Sequence, residues 1–414
     1  MSQRKASGYV RAAGFTLVEI MIALLIGLIG IVVMMQTFAV SESFKRTASS
    51  GTDAQINGGV ALYMLQRELR MAGFGMNSLM VSGCSSVVVW DNTVGASRNQ
   101  FLVPFAINPA GVPAGDANTD VLMISYGNSG SAISQMPVIS NEGGTNPPDP
   151  TAPIGLASNW DSFQTGDLFV AVQPTGGSPS CVLHEATATT NAAGNCGSSV
   201  ATPLVSFGTA SYQAHRPSGC TATTPKFNRA TAITDPSGNT VPGLAFPQGT
   251  VYNLGALAIH VYAIRNGALT MCDWIASNCT VAANFTPIVD DIVSMRAVYG
   301  MNLQPSVSAN PPDYTQPLTW NRNDLTTNVY LPSRVLAVTM ELTARSSLKE
   351  KVNQAGVCAT TPSATRPDIV QDWIYQGTAG AGIDVSSTST DWGCYRYKLF
   401  QTSVPLRNTI WRPN

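Results

Sequence analysis

The sequence predicts an α+β protein, in which a long N-terminal helix that begins in a membrane is followed by a large, disulfide-stabilised β-rich domain with long loops. Three observations predict this class. Residues 15–40 form an apolar run with a single charged side chain, short β-branched and aromatic runs begin near residue 80, and the 414-residue chain contains 8 cysteines. The apolar run is longer than the roughly 20 residues that a membrane-spanning helix needs.

The segment before the apolar run is short and basic. Arg4, Lys5 and Arg11 precede Gly14, and the apolar run starts abruptly at Phe15. Positive charges beside a spanning helix stay in the cytoplasm, so we expect the rest of the chain on the other side of the membrane. A secretory signal peptide is cut after its apolar region. A cut at the glycine would instead leave the apolar helix on the mature protein.

One carboxylate interrupts the apolar run. Glu19 lies one helical turn from Phe15, roughly 6 Å along the helix axis. A charge in hydrocarbon costs a few kcal/mol and usually marks a function that involves a partner. The alternative is an ordinary signal anchor whose Glu19 side chain reaches the membrane interface.

The order GFTLVE at 14–19 resembles the prepilin-peptidase site of the type IV pilin superfamily. The resemblance implies that prepilin peptidase cuts between Gly14 and Phe15 and methylates the amine of Phe15. It also implies that Glu19 pairs with the N-terminal amine of a neighbouring subunit when subunits leave the bilayer and enter a filament.

Five later segments carry a second resemblance. They are QINGGVALYMLQRELRMAGFG (55–75), IVDDIVSMRAVYGMN (288–302), LTW (318–320), RVLAVTMELTARS (334–346) and YRYKLFQTSVPLRN (395–408). In this order they resemble PilW, a family of minor type IV pilins, although Asn57-Gly58-Gly59 departs from the family's usual helix-end pattern.

This resemblance implies a minor pilin that joins other minor pilins and the major pilin and primes pilus assembly for twitching motility and adhesion. It also implies that the protein ends at the cell surface, with a tip adhesin as a further partner.

Apolar residues continue at helical spacing beyond the membrane segment and predict that the helix extends to about residue 72. Gly73 and Gly75 are natural stops for this helix. Glycines inside a helix cost about 1 kcal/mol each, so we expect either a weakened stretch near Gly51, Gly58 and Gly59 or a break between an anchor and a separate helix. The apolar residues in question are Leu62, Leu65, Leu69 and Ala72.

These patterns divide the chain into four parts. We expect a leader at 1–14, a membrane and filament helix at 15–40 and its periplasmic continuation at 41–75. A β-rich globular domain fills 76–414, with variable loops at about 140–250. Loops of this length are often functional.

The strands of that domain are predicted from short apolar runs bounded by turn residues. Asn266-Gly267 between two such runs indicates a hairpin with a type I′ turn. The predicted strands are 87–90, 101–107, 121–126, 168–172, 257–264, 288–299, 335–343 and 395–406.

Composition excludes several classes of protein. Charged residues make up 11% of the chain and hydrophobic residues 44%, which argues against a disordered protein. The formal net charge is −1, and no basic tract indicates a nucleic-acid partner.

The even number of cysteines fits the oxidising periplasm. Eight cysteines allow 105 connectivities, so the pairing is open. Sequence neighbours give the simplest guess: Cys272–Cys279, Cys181–Cys196, Cys358–Cys394 and, by remainder, Cys84–Cys220.

No motif predicts an enzyme, a metal site or a cofactor. His184-Glu185 lacks the second histidine of a zinc-protease motif. Ser346 and Lys349 form an S-x-x-K without its companion motifs. Asp290-Asp291 lacks a ligand-rich loop for calcium and is expected to cap a strand.

Two other functions stay open. A minor pseudopilin of a type II secretion system shares the leader and the helix. A pilus-tip adhesin or DNA-uptake component would use the long loops, or an aromatic surface of Tyr395, Tyr397, Phe400 and Trp411, although strand alternation favours core packing for these aromatic residues.

Overall fold

The computed structural model describes most of the chain, and the statements below concern those residues. They are 14–76, 79, 83–84, 86–129, 135–141, 153–157, 162–174, 179–189, 204–215, 220–241, 248–301, 319–321, 335–352, 356–358, 360–361, 365–366, 383–386 and 389–410. Arg4, Lys5, Arg11, Cys196 and Trp411 lie outside the described residues, as do parts of the predicted loop region at 140–250.

A single helix, α1 (Leu17–Met71), opens the fold. Its 55 residues correspond to about 80 Å at 1.5 Å per residue. The helix runs through Gly51, Gly58 and Gly59 without a break. Of the two alternatives, the break between an anchor and a separate helix is therefore wrong, and the stretch that contains these glycines is helical. The helix stops before Gly73, which has a φ of 75° that favours glycine.

Strands form the remainder, together with a short final helix, α2 (Arg407–Ile410), and 3₁₀ turns at Ala282–Asn284 and Trp392–Cys394. The strands are β1 (Ser86–Asp91), β2 (Ala96–Phe101), β3 (Phe105–Ile107), β4 (Leu122–Tyr126), β5 (Met136–Asn141), β6 (Ile154–Leu156), β7 (Leu168–Gln173), β8 (Ser180–Glu185), β9 (Ala188–Thr189), β10 (Leu204–Ser206), β11 (Tyr212–Ala214), β12 (Thr221–Thr223), β13 (Thr250–Gly255), β14 (Ala258–Arg265), β15 (Ala268–Asp273), β16 (Thr286–Asp290), β17 (Ile292–Met301), β18 (Thr319–Asn321), β19 (Val335–Arg345), β20 (Thr365–Arg366), β21 (Ile383–Asp384) and β22 (Tyr397–Pro405).

Three sheets and α1 form layers. A five-stranded sheet (β16-β15-β14-β4-β3) lies between a nine-stranded sheet (β2-β1-β8-β7-β13-β5-β6-β10-β9) and the core beneath α1. Leu122 and Ile124 of β4 face α1 and the C-terminal sheet (β18-β17-β19-β22), whereas Met123 faces the nine-stranded sheet. Because both faces of β4 are buried, its sequence is an almost continuous run of apolar residues.

The predicted hairpin is confirmed. β14 and β15 pair in antiparallel register through Asn266 and Gly267, whose φ angles are 54° and 71°. Asp116 fixes this turn because its carboxylate accepts the N–H groups of Asn266 at 3.1 Å and Gly267 at 2.9 Å.

Two predicted strands are each divided in the structure. Residues 101–107 belong to β2 and β3, which are separated at Pro104, a residue without an N–H to donate to a ladder. Residues 288–299 belong to β16 and β17, because Asp291 adopts a φ of 60° between them. This turn carries the chain from the five-stranded sheet to the C-terminal sheet.

The disulfides agree with the simplest pairing only in part. Cys272 is bonded to Cys279 and Cys358 to Cys394, as sequence proximity suggested. Cys84 is bonded to Cys181, so the guesses Cys84–Cys220 and Cys181–Cys196 are wrong. Cys220 is also disulfide-bonded. The bond from Cys84 ties the chain just after α1 to β8, a contact between segments that are distant in sequence.

The second half of α1 packs closely on β22. An added Cβ on Gly58 would lie 2.0 Å from Phe400 Cε2, whereas a Cβ on Gly59 meets nothing within 4 Å. Gly58 is therefore a packing requirement and Gly59 is not. The buried face of the helix consists of Ala54, Gly58, Ala61, Leu65, Leu69 and Ala72.

A buried carboxyl lies on the opposite face of the C-terminal sheet. Glu341 of β19 is 1% exposed, and among the residues that the structure describes neither of its oxygens has a hydrogen-bond partner. Arg296 is its cross-strand neighbour on β17. Burial raises the pKa of Glu341 to about 7, and the positive charge of Arg296 opposes that rise without cancelling it.

We predict that Gly58→Ala lowers the melting temperature of the full-length chain in detergent micelles. The methyl group must displace Phe400, and overpacking of this kind costs about 1–3 kcal/mol. Gly59→Ala is the matched control and should stabilise the helix by up to about 1 kcal/mol. Thermal unfolding followed by circular dichroism measures both, and a Gly58→Ala variant as stable as the control would contradict the packing role.

We also predict that Glu341→Gln stabilises the chain at pH 8 and has little effect at pH 4.5. A folded-state pKa raised to about 7 means that the native state holds a proton that the unfolded state has lost. Stability therefore falls as pH rises from about 4.5 through about 7, and the neutral amide removes that loss. Melting temperatures measured across this range should converge at low pH. A variant curve parallel to the wild-type curve would refute the assignment.

Candidate functional site

The first half of α1 is an apolar surface that is exposed to its surroundings in the described chain. Leu17–Glu42 is the one segment of the described chain that is long and apolar enough to cross a membrane. Large side chains are exposed on every face of it, including Phe15 at 83%, Leu24 at 68% and Met35 at 71%. A surface of this size requires lipid or other apolar helices around it.

Glu19 lies at the start of this surface and closes a capping box with Thr16. The Glu19 carboxylate accepts the Thr16 N–H and the Thr16 hydroxyl, both at 3.0 Å, and the Glu19 N–H donates to the Thr16 hydroxyl at 3.3 Å. The negative charge thus lies at the positive end of the helix dipole. The capping box holds Glu19 beside the start of the helix, one turn from Phe15.

One side of the helix combines this carboxylate with small residues. Phe15, Glu19, Ala23, Gly27 and Ile31 follow one another at intervals of four along a shallow groove. Small side chains allow close approach of a second helix in an apolar environment. The groove is therefore suited to contact between helices around a single charge.

The second half of α1 is tied to the globular domain by polar contacts. His260 Nδ1 of β14 lies 2.8 Å from Glu68 Oε2, and the Tyr126 hydroxyl of β4 donates to the same oxygen at 3.1 Å. Burial opposes ionisation of both groups, but their mutual hydrogen bond and charge outweigh it, so the pKa of Glu68 falls and the pKa of His260 rises. The apolar half of the helix therefore projects from a firmly attached domain.

The helix end is also capped by a distant side chain. Asn408 Nδ2 lies 3.3, 3.2 and 3.1 Å from the carbonyl oxygens of Arg70, Met71 and Ala72. These carbonyls have no partner within the helix. Sequence reasoning missed both this cap and the Glu68 contacts, because each joins residues that only the fold brings together.

The residues weighed as catalytic candidates have structural roles. Burial lowers the pKa of His184 to about 4, and its ring packs 4.7 Å from that of Phe207. The Ser346 hydroxyl donates to Leu348 O at 3.1 Å, while Lys349 pairs with Asp391, so the S-x-x-K residues do not act together.

The two adjacent aspartates also serve the fold. Asp291 lies 3.3 Å from Arg345 across the end of β19, and Asp290 is the exposed last residue of β16. Within the described ranges, no group of three or more histidine, cysteine or carboxylate side chains could hold a metal ion.

Comparison with known proteins adds one finding that bears on this helix. Residues 10–35 match the family described as the prokaryotic N-terminal methylation motif. No curated protein matches the chain. Among solved structures, a type IV-like pilin from Thermus thermophilus is similar at 18% identity over 38% of this chain and 68% of that chain, with a TM-score of 0.20. That score is too low to support an argument, so the methylation motif carries the functional inference.

Proposed function

We propose that the chain is a minor type IV pilin of the PilW type. The observation that carries this proposal is a methylation motif placed on a helix whose apolar half is exposed and whose other half is packed into the domain. In this proposal the precursor is anchored in the inner membrane with residues 76–414 in the periplasm. Prepilin peptidase removes residues 1–14 at Gly14 and methylates the amine of Phe15.

The mature helix then exchanges lipid for other pilin helices. Residues 15–40 supply the apolar packing surface, and 41–75 attach it to the globular domain. The Glu19 carboxylate, held at the helix start, pairs with the N-terminal amine of a neighbouring subunit and sets its register. This charge pairing supports incorporation because a carboxylate buried without a partner among apolar helices costs several kcal/mol.

The partners in this proposal are other minor pilins and the major pilin. A complex of minor pilins primes filament growth, and the loops within about 140–250 contact a tip adhesin. Adhesion and twitching motility follow from the pilus itself. The domain has a structural role in this assembly and no catalytic one.

We predict that Glu19→Ala leaves the protein in the membrane fraction but lowers its amount in sheared surface filaments to about one tenth of the wild-type amount or less. The reason is that losing a buried charge pair costs several kcal/mol. Glu42→Ala is the matched control, since it removes a carboxylate from the other end of the apolar segment. Immunoblots of membrane and sheared fractions measure both variants. Normal incorporation of Glu19→Ala would refute the pairing role.

A deletion strain tests the assembly role itself. Sheared major pilin should collapse in the deletion strain and return on complementation. Unchanged surface pilin would contradict the priming function and point to a secretion pseudopilus or to a tip-binding role for the loops.

A further inference from the structure

We infer that the loop after strand β19 is a second membrane contact of the protein, in which apolar side chains insert at the boundary between lipid headgroups and acyl chains. The residues concerned are 346–352 and 356–358, called the contact loop below. This contact requires that the apolar segment Leu17–Glu42 lies in a bilayer. It does not require assembly into a filament, and so goes beyond the proposed function.

The direction of two strands places this loop on the membrane side of the domain. Phe400 of β22 lies at Gly58, and Asn408 lies at the end of α1, so β22 runs along α1 away from the membrane segment. β19 is antiparallel to β22 and therefore runs toward that segment. Its last residue, Arg345, pairs with Tyr397, the first residue of β22. The contact loop follows directly, at the end of the domain that faces the bilayer.

A hydrogen bond to α1 fixes the height of the loop above the membrane segment. The Ser347 hydroxyl donates to Asp53 Oδ2 at 2.7 Å. Asp53 lies 11 residues after Glu42, the last residue of the apolar segment. This separation is about 17 Å along the helix axis. The loop is therefore within reach of the lipid headgroups if the helix tilts.

The length of the membrane segment makes such a tilt necessary. Its 26 residues span about 39 Å as a helix, whereas the hydrocarbon layer is about 30 Å thick. A segment longer than the hydrocarbon layer fits by tilting. A tilt toward the side that carries β19 and β22 lowers the contact loop to the headgroup layer, which adds roughly 5–8 Å on each side of the hydrocarbon. Contact of the loop with lipid therefore selects this direction of tilt.

The loop exposes a large share of the domain's apolar side chains. Leu348 is 47% exposed, Val352 53% and Val357 56%. Exposed apolar side chains gathered at one place mark a contact with a protein or a membrane. The anchored helix brings a lipid surface to this place. These three are half of the large apolar side chains that are exposed in the described chain after α1. The full set is Val94, Ile139, Val281, Leu348, Val352 and Val357.

The charged groups of the loop permit its insertion. Lys349 pairs with Asp391, and Arg396 Nε donates to Glu350 Oε1 at 2.9 Å, so both carboxylates in these pairs have a positive partner. Lys351 is exposed. A lysine beside an inserted apolar side chain buries its stem and keeps its ammonium group among the headgroups.

The segment before β22 holds the loop in place and adds aromatic side chains. The Glu350 N–H donates to Cys394 O at 2.8 Å, and Cys358 is disulfide-bonded to Cys394. The half-buried Trp392 and Tyr395 lie on either side of that cysteine. Tryptophan and tyrosine are enriched at the interface between membrane and water. The loop is thus held at both ends before it meets lipid.

The test uses the purified full-length chain in liposomes of phosphatidylethanolamine and phosphatidylglycerol, with no more than one copy per vesicle. A photo-crosslinking amino acid replaces Val352 in one sample and Val281 in the other. We expect about tenfold more lipid adduct at position 352, measured by mass spectrometry, because only this position lies at the headgroup boundary.

Val281 is the matched control because it is an equally exposed valine at the far end of the domain. It is 45% exposed and follows β15, whose last residue is Asp273. Asp273 pairs with His260, which contacts Glu68 near the end of α1. Equal amounts of lipid adduct at positions 352 and 281 would overturn the inference.

A second experiment changes the apolar side chains around the probe. Leu348→Glu combined with Val357→Glu should reduce the lipid adduct at position 352 about tenfold, because carboxylates resist insertion. Val281→Glu should leave that adduct unchanged. An undiminished adduct in the double variant would overturn the inference. If the double variant fails to form the disulfide between Cys358 and Cys394, the comparison of positions 352 and 281 decides. Loss of processing at Gly14 would contradict the proposed function without altering this contact.

Discussion

The close approach of helix α1 to β22 is the contact on which the arrangement of the whole molecule depends. Gly58 lets the Phe400 ring lie against the helix backbone, and Ala54 and Ala61 continue this small-residue face on either side. Larger residues at Leu65 and Leu69 then fill the wider space toward the end of the helix. Because α1 is one continuous helix, this packing also fixes how the globular domain is held relative to the membrane segment.

The two halves of α1 place their apolar side chains in different surroundings. The half inside the domain buries one apolar stripe and directs Glu68 to His260 and Tyr126. The half from Leu17 to Glu42 buries nothing within the monomer. Its free energy therefore depends on its surroundings, first lipid and, in our proposal, then other helices. Glu19 is compatible with both environments only while its charge has partners, which Thr16 supplies in the monomer.

The sequence predicted those parts of the fold that local chemistry determines. The apolar run with GFTLVE indicated the segment that matches the methylation motif, and Asn266-Gly267 indicated a hairpin, because each signal lies within a few residues. Gly58 was interpreted as a weakness in the helix, since propensity takes no account of Phe400. The partner of Cys84 and the cap from Asn408 depend on how distant segments meet. The apolar pattern predicted one strand at 288–299, but the left-handed backbone of Asp291 separates this segment into β16 and β17.

The most direct test of the account is the mass of the mature N-terminal peptide from the protein in its native host. We predict that the chain begins at Phe15 and carries one methyl group on its amine, and that changing Gly14 to a bulky residue leaves the precursor uncut. That result would establish that the apolar helix is kept on the mature protein as an assembly surface. A mature chain that retains Met1, or one cut after the apolar segment, would contradict the central claim.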